Sequence, residues 1–171
     1  VYINADEIDE NDEHTWQCSN KELEKLSNPD IKALFVVNPS NPPSVAISQK
    51  SISKIVDIVK TKNKDLMIIS DDVYGTFIHG FRSLMADLPY NTIGVYSYSK
   101  YFGVTGWRLG TIALHENNVF DKLIKELPYS IRKRTMRRYA DLNPVPENVP
   151  FIDRIVADSR QVSLNHTAGL S

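Results

Sequence analysis

The sequence predicts an α/β fold with a mostly parallel sheet and helices on both faces, and three observations support this. Short apolar segments typical of buried strands alternate with longer segments of helical periodicity. The connections between the predicted strands are long enough to hold a helix, which parallel strands require. Polar residues follow the strands, and ligands of such sheets lie beyond the carboxyl ends of the strands. Those polar residues are therefore the first candidates for a functional site.

The first half of the predicted sheet comes from two apolar segments on either side of one helix. Ile31 to Val37 is the first predicted strand, and it ends at Asn38-Pro39. Ser48 to Lys62 is predicted to be an amphipathic helix, because apolar residues recur at spacings of three and four. Leu66 to Ser70 is the second strand and leads into Asp71. This strand–helix–strand order predicts parallel pairing.

Two more strands and a second helix follow. Thr92 to Ser97 is the third predicted strand. Leu109 to Leu114 is the fourth, and a glycine-rich segment comes directly before it. Glu116 to Leu127 is predicted to be a helix that Pro128 stops or kinks.

The sequence changes in character after Pro128. Ile131 to Tyr139 is a basic segment with a helical pattern, and Asn143 to Pro150 contains three prolines and is predicted to be a loop. Phe151 to Leu164 then resumes a helical pattern. A basic helix can bind nucleic acid, but acidic residues nearby offset its charge. We therefore favour a solvated or subunit-contacting face.

The composition is that of a globular domain and argues against several classes of function. Of the 171 residues, 42% are hydrophobic and 24% are charged, and the net charge is −1. Neither nucleic acid nor a membrane is therefore expected as a partner, and no apolar segment approaches the ~20 residues of a membrane span. Cys18 is the single cysteine, which suits a reducing cytoplasm. The four histidines lie far apart in the sequence, so no metal site is assigned.

Polar residues at the ends of the predicted strands form an ordered series. In chain order they are Asn38, Asn41, Asp71, Tyr74, Ser97, Ser99, Lys100 and Arg108. An amine, an acid, hydrogen-bond donors and phosphate-binding groups are what pyridoxal 5′-phosphate (PLP) requires of a protein. Taken singly, Lys100 could be solvated, Tyr74 could pack in the core, Arg108 could be a surface charge, and the Asp71-Asp72 pair could cap a helix or bind a metal. The ordered combination favours PLP.

Three motifs between residues 38 and 110 resemble those of one enzyme family. Ser97 to Gly110 is similar to the lysine motif of fold type I PLP-dependent aminotransferases, S-x-S-K-x-F-G-x-x-G-x-R-x-G. Asp71 to Tyr74 resembles the aspartate–tyrosine motif of that family, and Asn38 to Pro42 resembles its N-P-x-N-P turn. The resemblance implies that residues 1–127 are the central part of the PLP-binding large domain, with the fourth strand antiparallel. Residues 128–171 would be a basic, proline-rich insertion and a helix that returns to that domain.

The resemblance implies three catalytic residues, and all three would also bind the cofactor. Lys100 would form the Schiff base with PLP and then move the proton between the substrate and the cofactor. Asp71 would pair with the protonated pyridine nitrogen, which keeps the ring electron-withdrawing. Tyr74 would donate a hydrogen bond to the phenolate oxygen.

Four further residues would bind the cofactor without taking part in the chemistry. Asn41 would donate a second hydrogen bond to the phenolate oxygen. Ser97 and Arg108 would hold the phosphate, and Ser99 would assist them.

The chain departs from the family pattern in two respects. Pro43-Ser44 stands where the family turn has T-G, so the turn after Asn41 must form without its glycine. The resemblance still implies a cis Asn41–Pro42 bond. The family's upstream phosphate loop and its C-terminal arginine for the substrate carboxylate are absent from these residues, and the chain begins at Val1. We therefore expect a segment of a longer protein, inactive by itself, with a processed mature protein as the alternative.

A narrower resemblance comes from the second part of the chain. Phe151 to Arg160, Leu164 to Ser171 and the stretch from Gly106 to Asp121 are similar to the aspartate 4-decarboxylase branch of the family. This implies β-decarboxylation of L-aspartate to L-alanine and CO₂, with aspartate aminotransferase activity through a shared ketimine. The substrates would be L-aspartate and a 2-oxo acid, and the protein would be a homo-oligomer of two or more subunits. Two alternatives stay open: an aminotransferase of other amino-acid specificity, and a non-catalytic PLP-domain regulator.

Overall fold

The computed structural model describes residues 1–143, 145 and 148–161. The chain forms two compact units, the first from Val1 to Glu116 and the second beginning at Asn117. Gly106 to Asp121 and Phe151 to Arg160 lie within the described residues, whereas Leu164 to Ser171 lies outside them.

A four-stranded sheet forms the centre of the first unit. Its strands are β1 (Ala33–Val37), β2 (Met67–Asp71), β3 (Thr92–Ser97) and β4 (Gly110–Leu114), in that spatial order. β1 pairs with β2 and β2 with β3 in parallel, whereas β3 and β4 pair antiparallel. The predicted α/β fold with a mostly parallel sheet is confirmed, as is the antiparallel fourth strand.

Helix α2 (Gln49–Thr61) connects β1 to β2 and supplies much of the core. The Ser48 hydroxyl accepts the Ser51 N–H at 3.1 Å, so the helix begins one residue after the predicted start. Its apolar stripe is buried through Ile52, Ile55, Ile58 and Val59. Leu66, Ile68, Leu84 and Leu88 belong to the same core. Burial on this one face explains the spacing of three and four in the sequence.

Four shorter elements of the first unit did not stand out in the sequence. The helix α1 (Asn20–Glu24) comes before β1 and leads into a 3-10 turn at Lys25–Ser27. Two further 3-10 turns, Gly75–Phe77 and Leu84–Ala86, lie between β2 and β3. Segments of three to five residues are too short to display a helical period.

The second unit contains three helices: α3 (Val119–Glu126), α4 (Tyr129–Arg138) and α5 (Phe151–Gln161). α3 begins three residues later than predicted because Asn118 caps it, with its Oδ1 accepting the Asp121 N–H at 2.8 Å. Residues 162–164 of the third predicted helix lie outside the described residues. In the part of the chain that the structure describes, no helix is long and apolar enough to cross a bilayer.

Contacts between side chains hold the second unit together. The rings of Phe120 and Phe151 stack with centroids 5.0 Å apart. The Asp158 carboxylate accepts hydrogen bonds from Arg138 Nε at 2.8 Å and from Tyr139 Oη at 2.9 Å. At least one positive charge of the basic segment, that of Arg138, is therefore paired with an acidic residue of the same unit.

The buried Asn63 side chain ties the end of α2 to the segment before β1. Its Nδ2 donates to the carbonyl oxygens of Leu26, Asn28 and Ile31 at 3.0, 3.3 and 3.1 Å. Asn63→Ala is expected to lower local stability by about 1–3 kcal/mol, because these carbonyls lose their donor. Amide hydrogen exchange in the full-length protein measures this change. The exposed Lys64→Ala is the control, and equal protection in both variants would contradict the expectation.

Candidate active site

The carboxyl ends of β1, β2 and β3 lie side by side. The Asn38 N–H donates to the Asp71 carbonyl at 2.9 Å, and the Asp72 N–H donates to the Val95 carbonyl at 2.8 Å. Asn38 is also buried, and its Oδ1 accepts the Ile47 N–H at 3.0 Å. The first Asn of the motif is therefore a structural residue that fixes the turn after β1.

The turn after β1 is closed by its own backbone. Ser40 N donates to Val45 O and Ser44 N donates to Ser40 O, both at 2.9 Å. The predicted cis Asn41–Pro42 bond is confirmed, and Asn38–Pro39 is a second cis bond that was not predicted. Ser44 takes the left-handed conformation, with φ of 62°. It does so at the position where the related motif has glycine, so the turn forms without one.

Asn41, Tyr74 and Lys100 come together at this edge of the sheet. Asn41 Nδ2 donates to Tyr74 Oη at 2.9 Å, although Pro43-Ser44 replaces the usual residues of the turn. Lys100 Nζ lies 6.0 Å from the centroid of the Tyr74 ring. Because Tyr74 Oη accepts from Asn41, its own proton can be donated to another acceptor.

A pocket of about 190 Å³ lies between the turn after β1 and the segment after β2. Its lining residues are Pro39, Ser40, Asn41, Ser44, Tyr74, Phe77 and Ile78. Sequence analysis missed Ser44, Phe77 and Ile78 as lining residues. Ser44 could have been identified because it stands where the family turn has glycine. Nothing in the sequence identified Phe77 or Ile78.

Asp71 and Asp72 make different contacts. Asp71, at the end of β2, accepts the Val73 N–H at 3.1 Å. Asp72 accepts the Ser70 hydroxyl at 2.7 Å and is also hydrogen-bonded to Ser83. Burial raises the pKa of Asp72, and the two serine hydrogen bonds oppose that change. Among residues 1–143, 145 and 148–161, no group of three or more His, Cys, Asp or Glu side chains could hold a metal ion.

The loop between β3 and β4 carries Lys100 and is braced by hydrogen bonds of its own. Ser97 Oγ accepts the Ser99 N–H at 3.2 Å, and the Ser99 carbonyl accepts the Thr105 hydroxyl at 3.1 Å. The Lys100 carbonyl accepts the Gly103 N–H at 3.2 Å, where Gly103 has φ of 67°. The positive φ at this position explains the need for glycine.

Arg108 ends the 3-10 turn Thr105–Trp107 in a left-handed conformation with φ of 49°. Its Nη1 donates to the Thr105 carbonyl at 3.2 Å, within its own turn, and the side chain is exposed. The structure therefore brings Asn41, Tyr74 and Lys100 together but shows no contact between Arg108 and the two serines. The role of Arg108 in phosphate binding stays a prediction.

Aromatic side chains surround the Lys100 loop. The Tyr74 and Phe77 ring centroids are 6.5 Å apart, Phe77 and Tyr101 are 5.3 Å apart, and Tyr101 and Phe102 are 5.2 Å apart. Phe77, Tyr101 and Phe102 are all more than half exposed. They form a chain of aromatic contacts that runs from Tyr74 to the two residues after Lys100.

The groups at this edge fit PLP. The Asn41 carboxamide and the Tyr74 phenol are hydrogen-bonded in one pocket, and the Lys100 amine lies 6.0 Å from the Tyr74 ring centroid. Asp71 is the last residue of the neighbouring strand β2. These are the amine, the two phenolate donors and the acid that the cofactor requires. Ser97 and Ser99 lie three residues and one residue before Lys100 in the chain.

Comparisons with known proteins agree with this chemistry. The family described as "Aminotransferase class I and II" matches residues 4–138. A bifunctional aspartate aminotransferase and L-aspartate beta-decarboxylase from Pseudomonas sp is 56% identical over 156 residues, 91% of this chain and 29% of that protein. The aromatic-amino-acid aminotransferase 2 of Thermococcus litoralis is 34% identical over 129 residues, 72% of this chain and 32% of that protein. The chain thus spans less than a third of the length of either relative.

Two solved structures are also similar. An aromatic aminotransferase from Pyrococcus horikoshii OT3 has a TM-score of 0.52 and 32% identity, and the match covers 61% of this chain and 28% of that one. A Pyrococcus protein named protein-A1 has a TM-score of 0.53 and 28% identity, with 94% of this chain and 38% of that one covered.

Proposed function

We propose, from the premise that this chain belongs to the class I and II aminotransferase family, that the full-length protein β-decarboxylates L-aspartate to L-alanine and CO₂ and also transaminates aspartate. The contacts of Tyr74 with Asn41 and with Lys100 carry the proposal, because they bring together groups that PLP chemistry needs. The 56% identity to a relative named for both activities supports aspartate as the substrate.

PLP is the cofactor of this family. When bound, it supplies an aldehyde that reacts with amines and a ring that accepts electrons from the bond being broken. In this chain, Asp71 would pair with the ring nitrogen, and Asn41 and Tyr74 would donate hydrogen bonds to the phenolate oxygen. Ser97, Ser99 and Arg108 would hold the phosphate.

Lys100 is the proposed nucleophile and proton carrier. Its amine must be neutral to attack an aldehyde or to take a proton from the substrate Cα. An amine on a flexible four-carbon stem can also serve both as base and as acid at neighbouring atoms.

The two outcomes differ in the bond that breaks after the Cα proton has left. Decarboxylation breaks the bond from Cβ to the β-carboxylate and needs a proton at that carbon, whereas transamination hands the amino group to a 2-oxo acid. One set of residues around Lys100 would serve both, which is the simplest account of two activities on one chain.

The remaining assignments are part of the same proposal. Residues 1–127 would be the central part of the PLP-binding domain, and residues 128–171 a basic, proline-rich insertion and a returning helix. The protein would assemble as a homo-oligomer of two or more subunits. The single cysteine, Cys18, suits a cytoplasmic location.

A different amino-acid specificity is the second candidate function. It is favoured by the 34% identity to a relative named for aromatic amino acids over most of the chain. It predicts transfer of amino groups without release of CO₂ from aspartate.

One assay separates these functions. The full-length protein, loaded with PLP, is incubated with L-aspartate, and alanine and CO₂ are measured with and without a 2-oxo acid. We expect equal amounts of alanine and CO₂ without the 2-oxo acid, and added oxaloacetate formation with it. Oxaloacetate without CO₂ release by the enzyme would contradict the decarboxylation and leave aspartate transamination. No product from aspartate in either arm would contradict the proposal and favour the aminotransferase of other amino-acid specificity.

A further inference from the structure

Ser44 has a backbone conformation that its side chain disfavours. Its φ of 62° lies in the left-handed region. Glycine adopts this conformation without strain, whereas most other residues do not. The hydrogen bonds from Ser44 N to Ser40 O and from Ser40 N to Val45 O hold the turn in this state. Glycine would satisfy the same backbone bonds, so the turn itself does not call for a serine.

The Ser44 hydroxyl also contributes little to the turn. Its hydrogen bond to the Pro42 carbonyl is 3.4 Å long, close to the limit at which such a bond counts. The side chain is exposed and lines the pocket together with Asn41 and Tyr74. A residue in a strained backbone conformation that lines a pocket is typical of a functional position.

We infer that Ser44 is a specificity-determining residue whose hydroxyl donates a hydrogen bond to a carboxylate oxygen of the substrate, an inference that rests on the proposed function. Four neutral donors line the pocket: Ser40, Asn41, Ser44 and Tyr74. The proposed function assigns Asn41 and Tyr74 to the cofactor, and the Ser40 hydroxyl donates to the Val45 carbonyl at 2.9 Å. The Ser44 hydroxyl is therefore the donor that remains for the substrate. The pocket lining contains no acidic side chain that would repel an anion. The volume of about 190 Å³ is sufficient for a four-carbon dicarboxylate.

Binding of succinate, an unreactive four-carbon dicarboxylate, to the PLP-loaded full-length protein tests this inference. Ser44→Gly removes the hydroxyl and the backbone strain, and Ser44→Ala removes the hydroxyl but keeps the strain. Both variants are expected to bind succinate about tenfold more weakly, as loss of a hydrogen bond to a charged group predicts. Only Ser44→Gly should raise the thermal unfolding midpoint.

A matched control separates relief of strain from loss of the hydroxyl. Asp12 is also a non-glycine residue of positive φ, at 65°, in the N-terminal segment away from the pocket lining. Asp12→Gly should raise the unfolding midpoint and leave succinate affinity unchanged.

Three results would overturn the inference. The first is a succinate affinity within twofold of wild type in both Ser44 variants. The second is a loss of succinate affinity in Ser44→Ala but not in Ser44→Gly. The third is no succinate binding by the wild-type protein. Failure of the proposed function would appear differently, as succinate binding that depends on Ser44 in a protein that does not convert aspartate.

Discussion

Replacing Lys100 by alanine in the full-length protein is expected to lower aspartate turnover by at least about a thousandfold, because a methyl group can neither bind the cofactor covalently nor carry a proton. Lys100→Arg should be equally inactive, since a guanidinium stays charged at any working pH and is a poor nucleophile. The rate of alanine and CO₂ formation measures the loss. Lys64→Ala, which changes an exposed lysine in the same unit, is the control and should keep the wild-type rate.

The covalent assignment has a direct test that does not depend on rate. Borohydride reduction of the PLP-loaded wild-type protein, followed by peptide mass mapping, should find a pyridoxyl group on Lys100. Lys64→Ala should give the same labelled peptide, and Lys100→Arg should give none. A label on another lysine would show that the Lys100 assignment is wrong.

Asp71→Ala is expected to lower turnover by about a hundredfold or more, because a charge placed to stabilise the electron-accepting ring is removed. Asp72→Asn is the matched control, since it changes the adjacent carboxylate and keeps an oxygen that can accept from Ser70. We expect it to keep turnover within a few-fold of wild type. The reverse order of effects in the same alanine and CO₂ assay would exchange the two roles.

Asp72→Asn should also change how stability depends on pH. The raised pKa means that the folded protein favours the protonated form of Asp72. Its contribution is therefore fully present below the ordinary value of 3.8 and is lost as the pH rises through the higher, folded value. The variant should lose this fall in stability, which unfolding midpoints on both sides of that window measure. Asp71→Ala should retain most of it, because burial raises the Asp72 pKa more than the Asp71 charge does.

The sheet was predictable because its pattern is local. The bounds of β3, Thr92–Ser97, agree with the prediction at both ends. β1 begins two residues after the predicted start at Ile31, because the Ile31 N–H turns back to the Asn28 carbonyl. A run of apolar residues fixes the existence of a strand, whereas its first residue depends on such single hydrogen bonds.

The site was predictable in its residues but not in its contacts. The series from Asn41 to Lys100 is a property of the sequence, and the structure brings Asn41, Tyr74 and Lys100 together. The hydrogen bond that Ser83 donates to Asp72 joins different elements, and no local sequence pattern predicts it. The left-handed Ser44 likewise depends on the closure of its turn by Ser40 and Val45.

The order of the strands has a consequence for how the chain folds. β3 and β4 are joined by the shortest connection in the sheet, and this connection carries Lys100. Each doubling of a loop costs about 0.6 kcal/mol of closure entropy, and pairings close in sequence form sooner than distant ones. On refolding, we therefore expect the β3–β4 hairpin to form first and β1 to join last, once α2 has packed. The lysine would be held in its loop before the asparagine and tyrosine arrive, so assembly of the pocket would be the late, slow step.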